Sequence, residues 1–471
     1  MAATWVRSTR LVWVGFGLTA LLVATVLVQA LRRPDDPESG FDADFVALAL
    51  TSAAVLVAVF ALGAFTRRIG LDLRGGFAWV VGTVSLLLGL VPWWVLTAGN
   101  AELAAALYRG LQVPQGIIPL WDLTLVMKSI DCASYGFDVF AEGNGCLQDP
   151  AIYGPGVLWL QYVPFGLFSA DRVDLLGVLA MLVSSLALVW LARASEGIGQ
   201  VVLLVAAIGA PWQLLLERGN VEAALLWGAC AAVILVRRWD RLWAWWLAAA
   251  VIWFLGTWKY YPFAMGLMLV PALRLRRGWT VLVGYAVATA VFMALAWESF
   301  QFSSSSNTAM VDIRDLVVLG RVPVVARMLG GEVGTGIHAA DLLVFAAALA
   351  AVAWGVAVGL ATRRRLVHPA MLAIGGSATF LAPVLVAGFG WAYKAPLLLL
   401  CVPLAAALVR SARGALVASS VVVLALIAIC SFVVVNTMLA TLSGVVAASF
   451  CAGLAAVLLV RAVRPARPAT A

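Results

Sequence analysis

The chain has 471 residues, 64% of them hydrophobic and 11% charged, with 31 basic against 23 acidic residues and a formal net charge of +8. With a mean hydropathy of +1.03, it is excluded from the water-soluble globular class. Its positive charge follows the flanks of apolar runs, which marks orientation in a lipid bilayer and gives no sign of a nucleic-acid partner.

Apolar runs of the ~17–25 residues needed to cross ~30 Å of hydrocarbon recur from end to end. They are continuous and do not alternate, so they predict helices and not barrel strands. The expected fold is all-α: a polytopic integral membrane protein of about 14 spans. These fall at 11–30, 45–65, 77–97, 174–192, 199–216, 221–236, 242–257, 261–273, 279–297, 341–361, 369–388, 395–409, 415–434 and 439–460. The first run lacks a small-residue cleavage site and reads as a retained span. Four regions follow: a hairpin (1–76), a transmembrane core (77–297) that includes an external loop at 98–173, a second external loop (298–340), and a C-terminal set of helices (341–471).

Arginines gather on alternate turns, as at Arg67-Arg68, Arg237-Arg238, Arg274 to Arg277 and Arg363 to Arg365. The positive-inside rule then puts both termini in the cytoplasm. It also puts the chain's lysines, Lys128, Lys259 and Lys394, on the outer side, where basic residues are expected to be scarce. Misplaced positive charge beside hydrocarbon suggests an anion held there, although a lysine can also snorkel to the interface.

The outer segments carry the remaining chemistry. In loop 98–173, stretches 121–135 and 156–169 predict short amphipathic helices at the membrane surface. Asp122 and Asp131 are nine residues apart, two and a half helical turns, so they face opposite ways. Asp122 also sits where a helix N-cap would. Cys132 and Cys146 share this loop and can pair as a disulfide in an oxidising compartment. Tyr135-Gly136-Phe137-Asp138 and Tyr153-Gly154-Pro155 are turn-forming. The turn Glu217-Arg218-Gly219-Asn220, with Glu222 just beyond, is unusually polar, whether as a Glu–Arg pair or as a binding site. Trp258-Lys259-Tyr260-Tyr261-Pro262 precedes only about thirteen apolar residues before Arg274, so Lys259 belongs at or below the outer surface. Trp391-Ala392-Tyr393-Lys394 repeats that pattern. Neither the cysteine spacing nor the two histidines suggest a metal site, and no cofactor is expected.

In order and sidedness these motifs resemble the GT-C superfamily of membrane glycosyltransferases, which use polyprenyl-phosphate sugars. The resemblance is best over spans 3–9. Val139 and Gly154 stand where the family's patterns have proline, and spans 1–2 are additional. The resemblance implies that Asp122 is the catalytic base and that Arg218, Lys259 and Lys394 bind the donor phosphate. Glu217, Asn220, Tyr261, Tyr393, Asp131 and Tyr153 would contact substrate. It also implies inverting transfer of mannose, arabinose or a related sugar to a cell-envelope glycan or glycolipid, at the outer face of a bacterial plasma membrane. Arg314 or Arg321 in the second long loop would help bind substrate. A lipid-linked oligosaccharide transporter, a polysaccharide ligase or polymerase, and a non-catalytic scaffold remain as alternatives.

Overall fold

The computed structural model describes residues 74–111, 113, 119–141, 143–147, 151, 153–195, 197–300, 339–362, 365–383, 392–409 and 437–463. The spans expected at 11–30, 45–65 and 415–434, the loop residues Arg314 and Arg321, and the side chain of Tyr393 lie outside that set.

All regular structure among the described residues is helical. The helices are α1 (Arg74–Thr97), α2 (Ala101–Gly110), α3 (Trp121–Ser134), α4 (Val173–Ala194), α5 (Ile198–Ile208), α6 (Ala210–Arg218), α7 (Glu222–Arg238), α8 (Leu242–Lys259), α9 (Trp279–Leu295), α10 (Ala339–Ala361), α11 (Val367–Leu381), α12 (Val402–Val409) and α13 (Thr437–Val463). Between them run 3₁₀ helices: η1 (Pro155–Tyr162), η2 (Pro164–Gly166), η3 (Ala170–Arg172), η4 (Tyr261–Arg274) and η5 (Ala392–Cys401). Among the described residues three helices are long and apolar enough to cross a membrane, or four if the bent pair α5–α6 is one span, and several more are apolar but shorter.

In an apolar solvent, helices associate by close packing and by satisfied polar contacts. Between α1 and α4 both are present. A Cβ at Gly82 would lie 2.3 Å from Val189 Cγ2, and the buried Ser85 and Ser185 hydroxyls meet at 3.0 Å. Trp212, on α6, donates its indole N–H to Ser85 Oγ at 2.8 Å. The tryptophan is thereby buried without an orphaned donor.

Two departures from regular α-helix shape the end of the bundle where the polar turns meet. The first is a 55° bend between α5 and α6. Gly209 is extended (φ −64°, ψ 142°), with Pro211 near the start of α6. Proline removes a backbone donor, and the Gln213 amide donates to the Ala207 carbonyl near the break at 2.5 Å. The second is η4, fourteen residues containing Pro262 and Pro271. As an α-helix it would reach only about 21 Å. At the 3₁₀ rise it reaches about 28 Å, close to a full hydrocarbon thickness. The short apolar run before Arg274 is therefore stretched.

Loop 98–173 also differs from expectation. The stretch at 156–169 is no amphipathic α-helix but the 3₁₀ pieces η1 and η2, and the loop carries an additional helix, α2. The helix expected at 121–135 is α3, and a Cys132–Cys146 disulfide ties its end to the following turn.

Candidate functional site

The start of α3, the end of α6, the start of α7, the end of α8 and the starts of η4 and η5 converge at one end of the bundle. Three backbone details fix the meeting. Leu120 takes a left-handed conformation (φ 55°) and donates its N–H to the Glu217 carbonyl at 2.8 Å, tying α3 to α6. Tyr260 also has a positive φ (61°, with ψ −56°) at the junction where α8 passes into η4. Such conformations cost about 1–3 kcal/mol in non-glycine residues and persist only where packing enforces them. Third, the Gly154 N–H donates to the Trp258 carbonyl at 2.7 Å. A Cβ at Gly154 would lie 2.3 Å from the Thr257 carbonyl oxygen, and one at Gly156 only 1.9 Å from Thr257 Oγ1. Glycine at these positions lets the loop bearing Tyr153 lie directly on the end of α8.

Asp122 is not an N-cap. That position belongs to Leu120, without a side-chain cap, and Asp122 lies inside the first turn. Its Oδ2 instead accepts a short hydrogen bond from Asn220 Nδ2, across 98 residues of sequence. The orientation of the Asn220 amide is set by its other end, because Asn220 Oδ1 accepts the backbone N–H of Glu222 at 3.0 Å. The amide therefore has only its N–H groups to offer Asp122, and an aspartate at 220 would oppose two carboxylates.

Glu222, which the sequence marked only as a neighbour of the polar turn, is the hub. Its side chain is fully buried in the first turn of α7. There the helix N-terminus favours negative charge. It receives Lys259 Nζ at 3.2 and 3.3 Å and the Tyr261 hydroxyl at 2.6 Å. Lys259 does not snorkel: it turns inward, and its ammonium lies 4.8 Å from the centre of the Tyr153 ring. Lys394, also buried, sits 5.1 Å from the centre of the Tyr261 ring. Both contacts are cation–π arrangements. Arg218 pairs through Nε with Glu217 Oε2 at 3.4 Å. The Glu–Arg pair that the sequence allowed is thus present, at the edge of the same cluster.

Burial pushes the Asp122 carboxyl up from the usual aspartate range. The charges of Lys259 and Arg218 and the Asn220 hydrogen bond pull the other way, while Glu222 adds to the rise. The Tyr153 phenol is also held well above its usual range, first by burial and then by the Asp122 and Glu222 charges. Tyr153 therefore serves as a neutral aromatic face. Tyr108 on α2 is raised by burial and by Glu217.

Of the residues singled out in the sequence, Asp122, Glu217, Arg218, Asn220, Lys259, Tyr261, Tyr153 and Lys394 meet here. Asp131 does not. Its Oδ2 accepts the Ala170 N–H at 2.8 Å and pins α3 to η3. The expectation of a substrate contact there is replaced by a structural one, because the helical spacing turns Asp131 away from Asp122. No group of His, Cys, Asp and Glu suited to a metal occurs among the described residues.

No protein-family model matches this chain, and no curated protein or solved structure is similar to it.

Proposed function

We propose that the chain is a membrane glycosyltransferase of about 14 spans that resembles the GT-C superfamily. It would move a sugar from a polyprenyl-phosphate donor to a glycan or glycolipid acceptor at the extracytoplasmic face of a bacterial plasma membrane. The observation that carries this reading is a half-buried carboxylate of raised basicity, Asp122, oriented by Asn220 and within electrostatic reach of Lys259 and Arg218.

A general base works best when its pKa approaches the operating pH, and desolvation moves Asp122 in that direction. In the proposed step the acceptor hydroxyl oxygen attacks the anomeric carbon of the donor. The bond from that carbon to the phosphate oxygen breaks, and its electron pair leaves with the phosphate. The hydroxyl proton passes to Asp122. Asn220 occupies Oδ2, which leaves Oδ1 to receive it. Lys259, Lys394 and Arg218 stabilise the charge that develops on the leaving phosphate. A single displacement inverts the configuration.

The bend at Gly209 gives a second reading some support, since broken helices also build transporter sites. One experiment separates the two. Purified wild type and Asp122→Asn are reconstituted with labelled polyprenyl-phosphate sugars and an envelope lipid extract. Transfer by wild type, reduced about 10²- to 10⁴-fold in the variant, is expected. Equal transfer by both removes Asp122 as base. Movement of label across the bilayer without transfer favours the transporter.

A further inference from the structure

Glu222 is one carboxylate more than a phosphate seat needs. Its buried oxygens hold Lys259 at 3.2 and 3.3 Å and Tyr261 at 2.6 Å, and Lys394 stands over that same tyrosine. A phosphate arriving beside Lys259 thus meets an ammonium whose charge is already opposed. Among the described residues three carboxylates, Asp122, Glu217 and Glu222, stand against three cationic side chains, Arg218, Lys259 and Lys394.

The proposed reaction changes the charge that this balanced cluster must carry. The donor is a phosphodiester with one negative charge. The prenyl phosphate left behind is a monoester that approaches two, since its second ionisation lies near about pH 6. Hydrogen bonds from lysine and arginine can accommodate the first charge. The second is added where dry surroundings keep Coulomb terms large and, among the described residues, no cation stands in surplus.

We infer that Glu222 is a specificity-determining residue that acts through Lys259: its fixed charge favours the singly charged diester over the doubly charged monoester, and so promotes release of the spent lipid phosphate. This rests on the donor reading of the site given above. A purely structural Glu222, present only to hold Lys259 in place, would affect both ligands alike.

The test measures binding of farnesyl phosphate and of a farnesyl-phosphate sugar to full-length wild type, Glu222→Gln and Glu222→Asp at about pH 7.5, above the monoester's second ionisation. In Glu222→Gln the monoester is expected to bind about tenfold tighter relative to the diester, and Glu222→Asp should keep the wild-type ratio. An equal change for both ligands, or no change, overturns the inference while leaving the donor reading intact. Absence of binding by either ligand to any of the three proteins overturns the donor reading, and the inference with it. Should Glu222→Gln fail to fold, wild type alone decides. Between about pH 5.5 and about 7.5 its monoester-to-diester affinity ratio is expected to fall as the second charge appears. A ratio that holds or rises overturns the inference.

Discussion

The helix pair α7–α8 has an ion pair beside each of its ends, and the tighter of the two is the less consequential. At the arginine-rich end Arg274 meets Asp240 at 2.6 Å, with the side chains 26% and 50% exposed. At the opposite end Lys259 meets Glu222 at 3.2 Å, with exposures of 13% and 0%. Exposed pairs are worth about 0–1 kcal/mol because water competes for both partners. Breaking a buried pair costs about 3–5 kcal/mol because one charge is left without compensation. Distance measures geometry, while dryness sets the stakes. By that criterion the Lys259 end is where a substitution should matter most.

The sharpest way to press the contrast is at Asp122, where function and stability should move apart. Its pKa in the fold lies above its unfolded value. The stability this group contributes is therefore fully present below the unfolded pKa and is lost as pH rises through the folded one. Once ionised, the carboxylate is a burden on the fold. Asp122→Asn should cut transfer about 10²- to 10⁴-fold yet unfold no more easily than wild type, as read by thermal unfolding in detergent at about pH 7, well above the unfolded aspartate value. The acid limb of the transfer-rate profile should also lie above the ordinary aspartate range. A variant that loses both activity and stability would make Asp122 a structural residue.

Next in size is the buried pair itself. Lys259→Met strands Glu222 and should cost about 3–5 kcal/mol. The double variant Lys259→Met/Glu222→Gln should recover part of that loss, because the uncompensated charge goes with its partner. Additive losses in a thermal or denaturant titration would show that the pair is not coupled. A smaller effect is expected from packing at the same end. Gly154→Ala drives a Cβ into the Thr257 backbone carbonyl, which cannot rotate away. A loss of about 1–3 kcal/mol should follow, together with weaker donor binding as Tyr153 shifts off Lys259. Full donor affinity in a destabilised Gly154→Ala would separate the loop from the site.

Much of this site was legible because topology does the collecting. Once alternate turns are assigned to one side by their arginines, Asp122, Arg218, Asn220, Lys259 and Lys394 share a level whatever the helix packing. Pairwise geometry was not legible. Nothing local to Glu222 announces a lysine 37 residues further on, and its position just inside α7 reads equally well as a helix-dipole residue. Asp131 was misjudged for the complementary reason, since its partner is a backbone N–H, which every residue but proline carries. The form of η4 was hidden as well. Hydropathy counts residues, and length depends on rise per residue, so a short apolar run with two prolines conceals a stretched helix.

The smallest expected effect completes the contrast. At the arginine-rich end Asp240 also accepts the Trp245 indole N–H at 3.2 Å, and the Arg274 guanidinium lies 5.8 Å from that ring's centre. Arg274→Met thus leaves Asp240 with one donor and access to water, so the loss should not exceed about 1 kcal/mol. Transfer should be unchanged. Salt supplies a further discriminator. At about 1 M ionic strength the screening length falls to about 3 Å, which should erase most of the difference between Arg274→Met and wild type. The penalty of Lys259→Met should persist at the same ionic strength, because mobile ions do not enter the space that Glu222 occupies. If salt were to shrink both penalties alike, the two ends would be equally wet, and the case for a dry reaction site at Lys259 would fall with the difference between them.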